Sequence, residues 1–438
     1  MILQYSQSLS RARVAVRRMG AGLLALTLAA STACNQLLSV DNPGQVPADA
    51  LDDPALVATL ELGAIQQFQC AAANYAATAG MLSGEYWSAN GFVNNHVWEW
   101  RSVVDIKQNP GSCSGSRTDT SMGFYTPLQQ ARFQLEDAYS RFAKFTDAQV
   151  PNRQRYMVEM KAYAGYALLL LGEGMCTMTV DNGPEIQRSD VYALAEKEFT
   201  EAMSEVDKAT DPAFTAADRA SLKNMALNGR ARERLDAGNL QGAAADAAQI
   251  PAGYVRNAEF SEQTVSRENR IYNLTTRNSY LSVAPAYDNL TLEDGVTPDP
   301  RVKTVDTKTK GTDNVTEVWQ QQKFTGSGAA PLPIASYAEA QLIYAEATGG
   351  QAGLDAINRV RALSKIPPLT LKPGDDFEKI VLEERRRQLF SEGQRYGDML
   401  RKNLPFQSGV NRKGQTYSSL TCVPLPDVET RNNPNFKG

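Results

Sequence analysis

The chain has 438 residues, 42% of them hydrophobic, which is enough apolar material for one large core or two smaller ones. Its 31 glycines and 21 prolines are ordinary for that length and exclude collagen-like order or bulk disorder. A formal net charge of −4 excludes a general nucleic-acid binder, which needs a basic footprint.

Residues 1–33 read as a secretory signal. Arg11, Arg13, Arg17 and Arg18 form a positive region without acids, Ala21 to Ala30 an apolar run, and Ser31-Thr32-Ala33 a small-residue site. The run is too short for a membrane-spanning helix of about 20 residues. Its removal takes away four arginines and no acids, so the exported chain is four charges more negative. Cys34 directly after the small residues resembles the lipobox of bacterial lipoproteins and would be the lipidated N-terminus, although Ser31 stands where leucine is usual. Residues 34–52, polar and Pro/Gly-containing, read as a short tether, and 53–438 as a single domain.

In DPALVATLELGAIQQFQCAAANYAATAG, Asp53, a first-turn proline and apolar residues at three-to-four spacing predict a helix. From Met81 to Gly123 the texture changes to Trp, Asn, Gly and Ser and reads as a long loop. Helix returns in YTPLQQARFQLEDAYSRFAKF, with Leu128, Phe133, Leu135, Tyr139 and Phe142 as core candidates, and in RQRYMVEMKAYAGYALLLLGE. In residues 191–209, Ala195, Phe199 and Ala202 carry the small-aromatic-small spacing of a tetratricopeptide second helix; Ala243, Ala247 and Ile250 repeat it. Between about 251 and 333 the period fades. RIYNLTTRNSYLSV, RVKTVDTKTK and TEVWQQQKF read there as short strands among loops, an insertion in a degenerate helical-repeat scaffold. Helices resume in SYAEAQLIYAEA, GLDAINRVRAL and a final charged stretch, followed by a proline-punctuated tail.

Cysteines apart from Cys34 number four: Cys70, Cys113, Cys176 and Cys422. An even count in an oxidising compartment predicts two disulfides with three possible connectivities, Cys70–Cys113 and Cys176–Cys422 being favoured. No spacing suggests zinc, and the single histidine, His96, excludes a multi-histidine metal site. No GxSxG elbow accompanies it for a Ser-His-Asp triad, so His96 reads as a surface or binding-loop residue.

SYAEAQLIYAEA repeats at seven residues, which puts Glu339 and Glu346 on one helix face, about 10.5 Å apart along the axis. A glycosidase would use two such carboxylates as acid and base. The structural alternative makes them packing glutamates that meet Arg359 and Arg361 of the next helix. In EERRRQLFSEGQRYGDMLRK, residues 383–402, ten of twenty side chains are charged. Leu382, Leu389, Tyr396 and Leu400 mark one helical face with Gly393 on the same side and Arg386 within it, to be paired by Glu383, Glu384, Glu392 or a glutamate of the preceding helix. Interleaved acids argue against nucleic acid. The aromatic stretch GEYWSANGFVNNHVWEW is the strongest binding signal. It mixes aromatic faces, which stack on sugar C–H faces, with amides, which bond hydroxyls.

Together these pieces resemble the SusD/RagB outer-membrane lipoproteins. VLEERRRQLFSEGQRYGDMLRK looks like that family's ERRREL-FEGHRW-DL-RW helix, with Gln394 for histidine and Tyr396 for tryptophan. SYAEAQLIYAEA looks like its R-YAE-LL-YAEA helix, AINRVRALSKIPPL its I-N-VR-R-G-P segment, and PLPDVETRNNPNFKG its closing signature. The resemblance implies a mostly α fold of tetratricopeptide-like units with a loop-rich, partly β insertion, a lipid anchor at Cys34, and no catalysis or cofactor. It implies capture of oligosaccharide or peptide at the outer-membrane surface and delivery to a SusC-like TonB-dependent transporter. It also assigns Glu339, Glu346, Glu384, Arg386 and Gly393 to the scaffold. The expected ligand residues, chosen by composition, are Tyr86, Trp87, Asn94, Asn95, Trp98 and Trp100 from the aromatic stretch and Tyr287 and Trp319 from the insertion. Asn35-Gln36-Leu37-Leu38 after Cys34 lacks the acids that often accompany surface display. Two other readings are an exported helical-repeat adaptor that binds only protein, and a glycoside hydrolase built on Glu339 and Glu346.

Overall fold

Helix α1 (Val57–Ser83) runs through an alanine-rich sequence and ends where Gly84, at φ 76°, turns left-handed and donates its N–H to the carbonyls of Gly80 and Met81. In this computed structural model, which describes residues 48–113, 116 and 121–437, α1 begins the helical scaffold. The signal segment, Cys34 and most of the tether lie outside the described residues. Residues up to Asp53 form one unit, of which a 3-10 turn at Ala48–Leu51 is described, and residues from Pro54 onward form a second.

Five more helices follow in that second unit: α4 (Tyr125–Phe142), α5 (Arg153–Gly174), α6 (Arg188–Lys208), α7 (Ala216–Asp236) and α8 (Leu240–Ala247). Each packs on its predecessor, and α1 packs on α4. On α4 the buried stripe is Leu128, Ala131, Leu135, Ala138 and Phe142. Phe133, expected in the core, is 56% exposed, because it lies five residues past Leu128 and so falls on the opposite side of the helix. The repeat signature has a direct physical basis. Phe199 of α6 is fully buried between α5 and α7, where a Cβ on Gly165 or Gly229 would stand 2.7 or 2.4 Å from its ring. Those two glycines let three helices close around one phenyl ring. Ala243, Ala247 and Ile250 are buried one unit later. Thr215 and Asn239 accept backbone N–H bonds from Asp218 and Gly242 and so start α7 and α8.

The stretch expected as one long loop carries a strand and two short helices: β1 (Tyr86–Ser88), α2 (Val93–Glu99) and α3 (Val103–Gln108). Further on, the insertion supplies β4 (Val255–Ala258), a short helix α9 (Arg270–Tyr272), β5 (Leu281–Val283), β6 (Thr304–Lys310), β7 (Glu317–Gln321) and β8 (Leu332–Ser336). A small pair, β2 (Thr177–Met178) and β3 (Ile186–Gln187), precedes α6. All form two-stranded antiparallel ribbons: β1 with β5, β2 with β3, β4 with β8, and β6 with β7. The molecule is mostly α, with little sheet.

Beyond β8 the chain enters α10 (Tyr337–Thr348), capped by Ser336, then α11 (Gly350–Leu363) and α12 (Phe377–Gln388). The charged stretch is not one helix. It breaks after Gln388, and α13 (Gln394–Arg401) restarts behind Gly393 at φ 80°, where a Cβ would meet the Ala76 Cα of α1 at 2.7 Å. Within α12, Val381, Leu382 and Glu384 mark the buried side, and Arg385 falls on it. Arg385 is 2% exposed; Arg386 is half-buried, its side chain 15% exposed, paired with Glu383 as expected and stacked 4.7 Å from the Tyr287 ring. A short helix, α14 (Asp427–Asn432), ends the chain. Disulfides join Cys70 to Cys113 and Cys176 to Cys422, the second fastening the tail beside the end of α5.

A buried ionic network stitches the helices together. Glu173 of α5 accepts two bonds from Arg232 of α7 and one from Tyr75 of α1. Glu339 stands 3.5 Å from Arg232 and accepts from Asn228. Glu346 is held by Arg401 and Lys402, and Asp398 by Arg385 and Arg401. The expected partners of Glu339 and Glu346, Arg359 and Arg361, lie elsewhere: Arg361 pairs with Glu384 and Glu293, and Arg359 donates to Gln341. Glu384 also accepts from Arg301 of the insertion. Sequence neighbours on α11 thus lose to helices far away in the chain, because both glutamates face inward towards α7 and α13.

Candidate ligand-binding face

The aromatic stretch divides by burial. In β1, side chains alternate, so Tyr86 and Ser88 point inward and Trp87 outward. Tyr86 is fully buried, hydrogen-bonded to Ser391 in the break between α12 and α13, and Tyr287 stacks on Phe390 with ring centroids 5.2 Å apart. Trp98 is 1% exposed and packs near Phe124, and Asn95 is buried with its Oδ1 accepting from Asn90. These four positions, expected to meet ligand, instead hold the scaffold. A pyranose ring cannot reach them without unpacking the core. Four others keep partial exposure: Trp87, Asn94, Trp100 and Trp319.

The strands that carry Trp87 and Trp319 are joined through Ser282. Trp87 pairs with Ser282 across the β1–β5 ribbon, and the Trp319 N–H donates to Ser282 Oγ at 2.9 Å. Ser282 Oγ also donates to the Glu317 carbonyl, so β7 lies against the β1–β5 ribbon. Phe92, 42% exposed, meets Tyr280 edge-on with centroids 5.2 Å apart, and the Tyr280 carbonyl accepts from Ala89 and Asn90. Residues 407–418 close the back of this corner. Arg412 lies 4.3 Å over the Trp87 ring, bonds the Ser88 carbonyl and Thr316, and pairs with the buried Glu99. Lys413 pairs with Asp313 at 2.7 Å and donates to the Asn90 carbonyl. Arg101 anchors the same segment through the Gln407, Ser418 and Leu420 carbonyls.

Electrostatically the corner is balanced. Burial alone would raise Asp313, but the bond from Lys413 and the backbone N–H groups of Thr316 and Val315 hold its carboxyl down at about 2. Burial pushes the half-buried His96 imidazole below its usual range, and the Lys413 charge adds to this, so it stays neutral at pH 7. Glu99 is matched by Arg412 and Asp313 by Lys413, so the buried charges of the corner are paired, while Trp87, Phe92, Asn94, Tyr280 and Trp319 keep some exposure beside them. Such a face suits uncharged, hydroxyl-rich or extended ligands. Among the described residues no group of three potential ligands stands close enough to hold a metal ion.

Sequence reasoning missed Arg412 and Lys413, because residues 404–418 have no period and no motif, and Asp313, which sits in the turn between β6 and β7. Tyr280 could have been found as the next aromatic before β5, and Phe92 stood inside the quoted stretch. Glu339 and Glu346 do not reach this face. Both are buried in the helical network, where burial raises the Glu339 carboxyl to about 7 against the pull of Arg232. Arg401 holds the Glu346 carboxyl below its ordinary range despite burial.

No helix among the described residues is long and apolar enough to cross a membrane. No curated protein matches the chain. Among solved structures, a SusD superfamily protein from Bacteroides fragilis is 15% identical, covers 88% of this chain and 99% of its own, and superposes with a TM-score of 0.62. A putative sugar binding protein from Bacteroides vulgatus gives 15% identity, 88% and 98% coverage and a TM-score of 0.63. A SusD-like carbohydrate binding protein from the same species gives 15%, 80% and 83% coverage and 0.57. At these identities the likeness is one of fold. The SusD family model matches residues 180–437, from the β2–β3 connection to the C-terminal tail. Since that is more than half of the sequence, this chain belongs to the SusD family.

Proposed function

We propose that this chain is a non-catalytic lipoprotein of the outer membrane, displayed at the cell surface through Cys34, that captures an oligosaccharide and delivers it to a SusC-like TonB-dependent transporter. Family membership carries the reading, and two proteins of the same fold are described as sugar or carbohydrate binding. The corner of Trp87, Phe92, Tyr280 and Trp319 supports a glycan ligand, because its aromatic groups face outward while its charges are matched internally. The ligand set that replaces the expected one is Trp87, Phe92, Asn94, Trp100, Tyr280 and Trp319. Burial and ion pairing of Glu339 and Glu346 argue against a hydrolase, which needs two carboxyls open to a substrate and a water.

Two experiments test this function. Affinity electrophoresis through gels containing candidate polysaccharides should retard the chain, and Trp319→Ala should remove the retardation. Solubilised outer membranes should yield a large TonB-dependent barrel with the tagged chain. If the chain is purified with no barrel from cells growing on the retarding polysaccharide, delivery to a transporter is wrong.

A further inference from the structure

The seven-residue repeat of α10 has a second side that the scaffold does not use. Glu339 and Glu346 turn inward, so Tyr337, Gln341 and Tyr344, at steps of four and three, line the outer stripe of the same helix. They wall a cleft of about 380 Å³ together with Arg359 of α11 and Ile250 beyond α8. That volume falls in the range of small-ligand sites, about 300–1,000 Å³. The two tyrosines are half-buried, so each keeps a ring surface open, and they are separated by about 10.5 Å along the helix axis.

The cleft is built around a buried amide that is bonded on its oxygen side only. Gln341 is 5% exposed, and its Oε1 accepts from Arg359 Nε at 2.6 Å. That bond fixes the guanidinium at the cleft wall. Among the described residues, Gln341 Nε2, both Arg359 Nη atoms and both tyrosine hydroxyls have no hydrogen-bond partner. Asp355, one turn before Arg359, accepts from Gln351 and leaves the guanidinium without a carboxylate. A nearly buried amide donor beside an unpaired guanidinium asks for an acceptor-rich, anionic group. Two aromatic rings flanking that donor pair ask for flat, saturated C–H faces on either side of the anion.

We propose that this cleft is a second carbohydrate site, distinct from the Trp87–Trp319 corner, for a glycan bearing carboxylates. A uronate carboxylate would sit on Arg359 and Gln341 while neighbouring pyranose rings stack on Tyr337 and Tyr344. The site stands on its own geometry and does not depend on what the aromatic corner binds.

Calorimetric titration of the full chain at low salt, with a galacturonate hexamer and a neutral galactose hexamer, tests it. The acidic hexamer should bind saturably, Arg359→Gln should weaken it about tenfold or more, and Trp87→Ala/Trp319→Ala should leave it unchanged. Arg359 is exposed, so its loss leaves the fold intact; Tyr344→Leu provides a second variant that should also weaken the acidic hexamer. Absence of binding, or equal binding by Arg359→Gln, overturns the site. Loss in the double tryptophan variant alone overturns it too, by moving the acidic glycan to the other face. A glutamate hexamer that binds as tightly, and is lost equally in Arg359→Gln, overturns the assignment to carbohydrate. If the corner's own reading fails, only the neutral-glycan experiments change.

Discussion

Replacing Arg385 by methionine removes the most buried cation of the charged stretch. Its guanidinium makes Nε and Nη2 contacts to Asp398, at 3.0 and 2.9 Å, and lies 3.8 Å from Glu346. Breaking a buried ion pair costs about 3–5 kcal/mol when the remaining charge is stranded. Here Asp398 keeps Arg401 at 2.7 Å, so the lower end, about 3 kcal/mol, applies. At about 2.1 cal/mol/K of unfolding entropy per residue, a unit of this size has an entropy near 0.8 kcal/mol/K, and the midpoint should fall by about 4 °C. Arg386→Met removes a pair with the half-exposed Glu383 and a ring contact with Tyr287, together worth about 1–2 kcal/mol, or about 2 °C. Differential scanning calorimetry of the oxidised protein at pH 7 measures both. Equal shifts, or a larger loss for Arg386→Met, would refute the assignment of Arg385 as the more deeply buried of the two cations.

Four other outcomes are expected. Glu233 is 2% exposed; burial, followed by the Glu196 charge, raises its carboxyl to about 8. Between its unfolded value near 4.5 and about 8 the folded state holds the extra proton, so the native residue loses stability as pH rises through that window. Glu233→Gln should therefore be near neutral at pH 4.5 and stabilising by about 2–4 kcal/mol at pH 8.5 in guanidinium titrations; the same difference at both pH values would count against it. Gly393→Ala, forced to φ 80° and against Ala76, should destabilise by about 2 kcal/mol or more, read as a lower midpoint in the same titration. Cys176→Ser/Cys422→Ser should cost about 2–5 kcal/mol, because the bond closes a loop of 246 residues; an unchanged midpoint would show that the tail needs no fastening. Trp98→Ala should lower stability by about 3–5 kcal/mol, whereas Trp319→Ala should keep most of it and lose glycan retention, as circular dichroism and affinity electrophoresis would show.

What could be read in the sequence follows the physics of each feature. Local periodicity found α4 to α8, since a 3.6-residue period is a property of the segment itself. The Ala195-Phe199-Ala202 spacing found a ring that proves to be clasped by two glycines. The stripe alone did not expose its own edge, and Phe133 was counted inside it. The Leu382–Leu389 spacing puts Arg386 within the buried face, and the structure keeps it half-buried on Glu383, with its neighbour Arg385 deeper still. The left-handed Gly393 ends the continuity beyond α12, so Tyr396 and Leu400 belong to a separate helix. At the candidate face, composition located the aromatic stretch but could not sort it. Which side of β1 Trp87 takes depends on pairing with residues nearly two hundred positions later, and Trp98 is buried on the short helix that follows. The ion pairs of Glu339 and Glu346 are equally distant, with Arg232 and Arg401 on helices that no local rule connects.

The central claim is capture of a glycan through the corner of Trp87 and Trp319. A glycan array probed in parallel with the native chain and with a folded Trp87→Ala/Trp319→Ala variant measures it most directly. The account predicts saturable binding of the native chain to at least one neutral oligosaccharide, lost in the variant. Binding that survives both substitutions, or no glycan bound by the native chain, would contradict it.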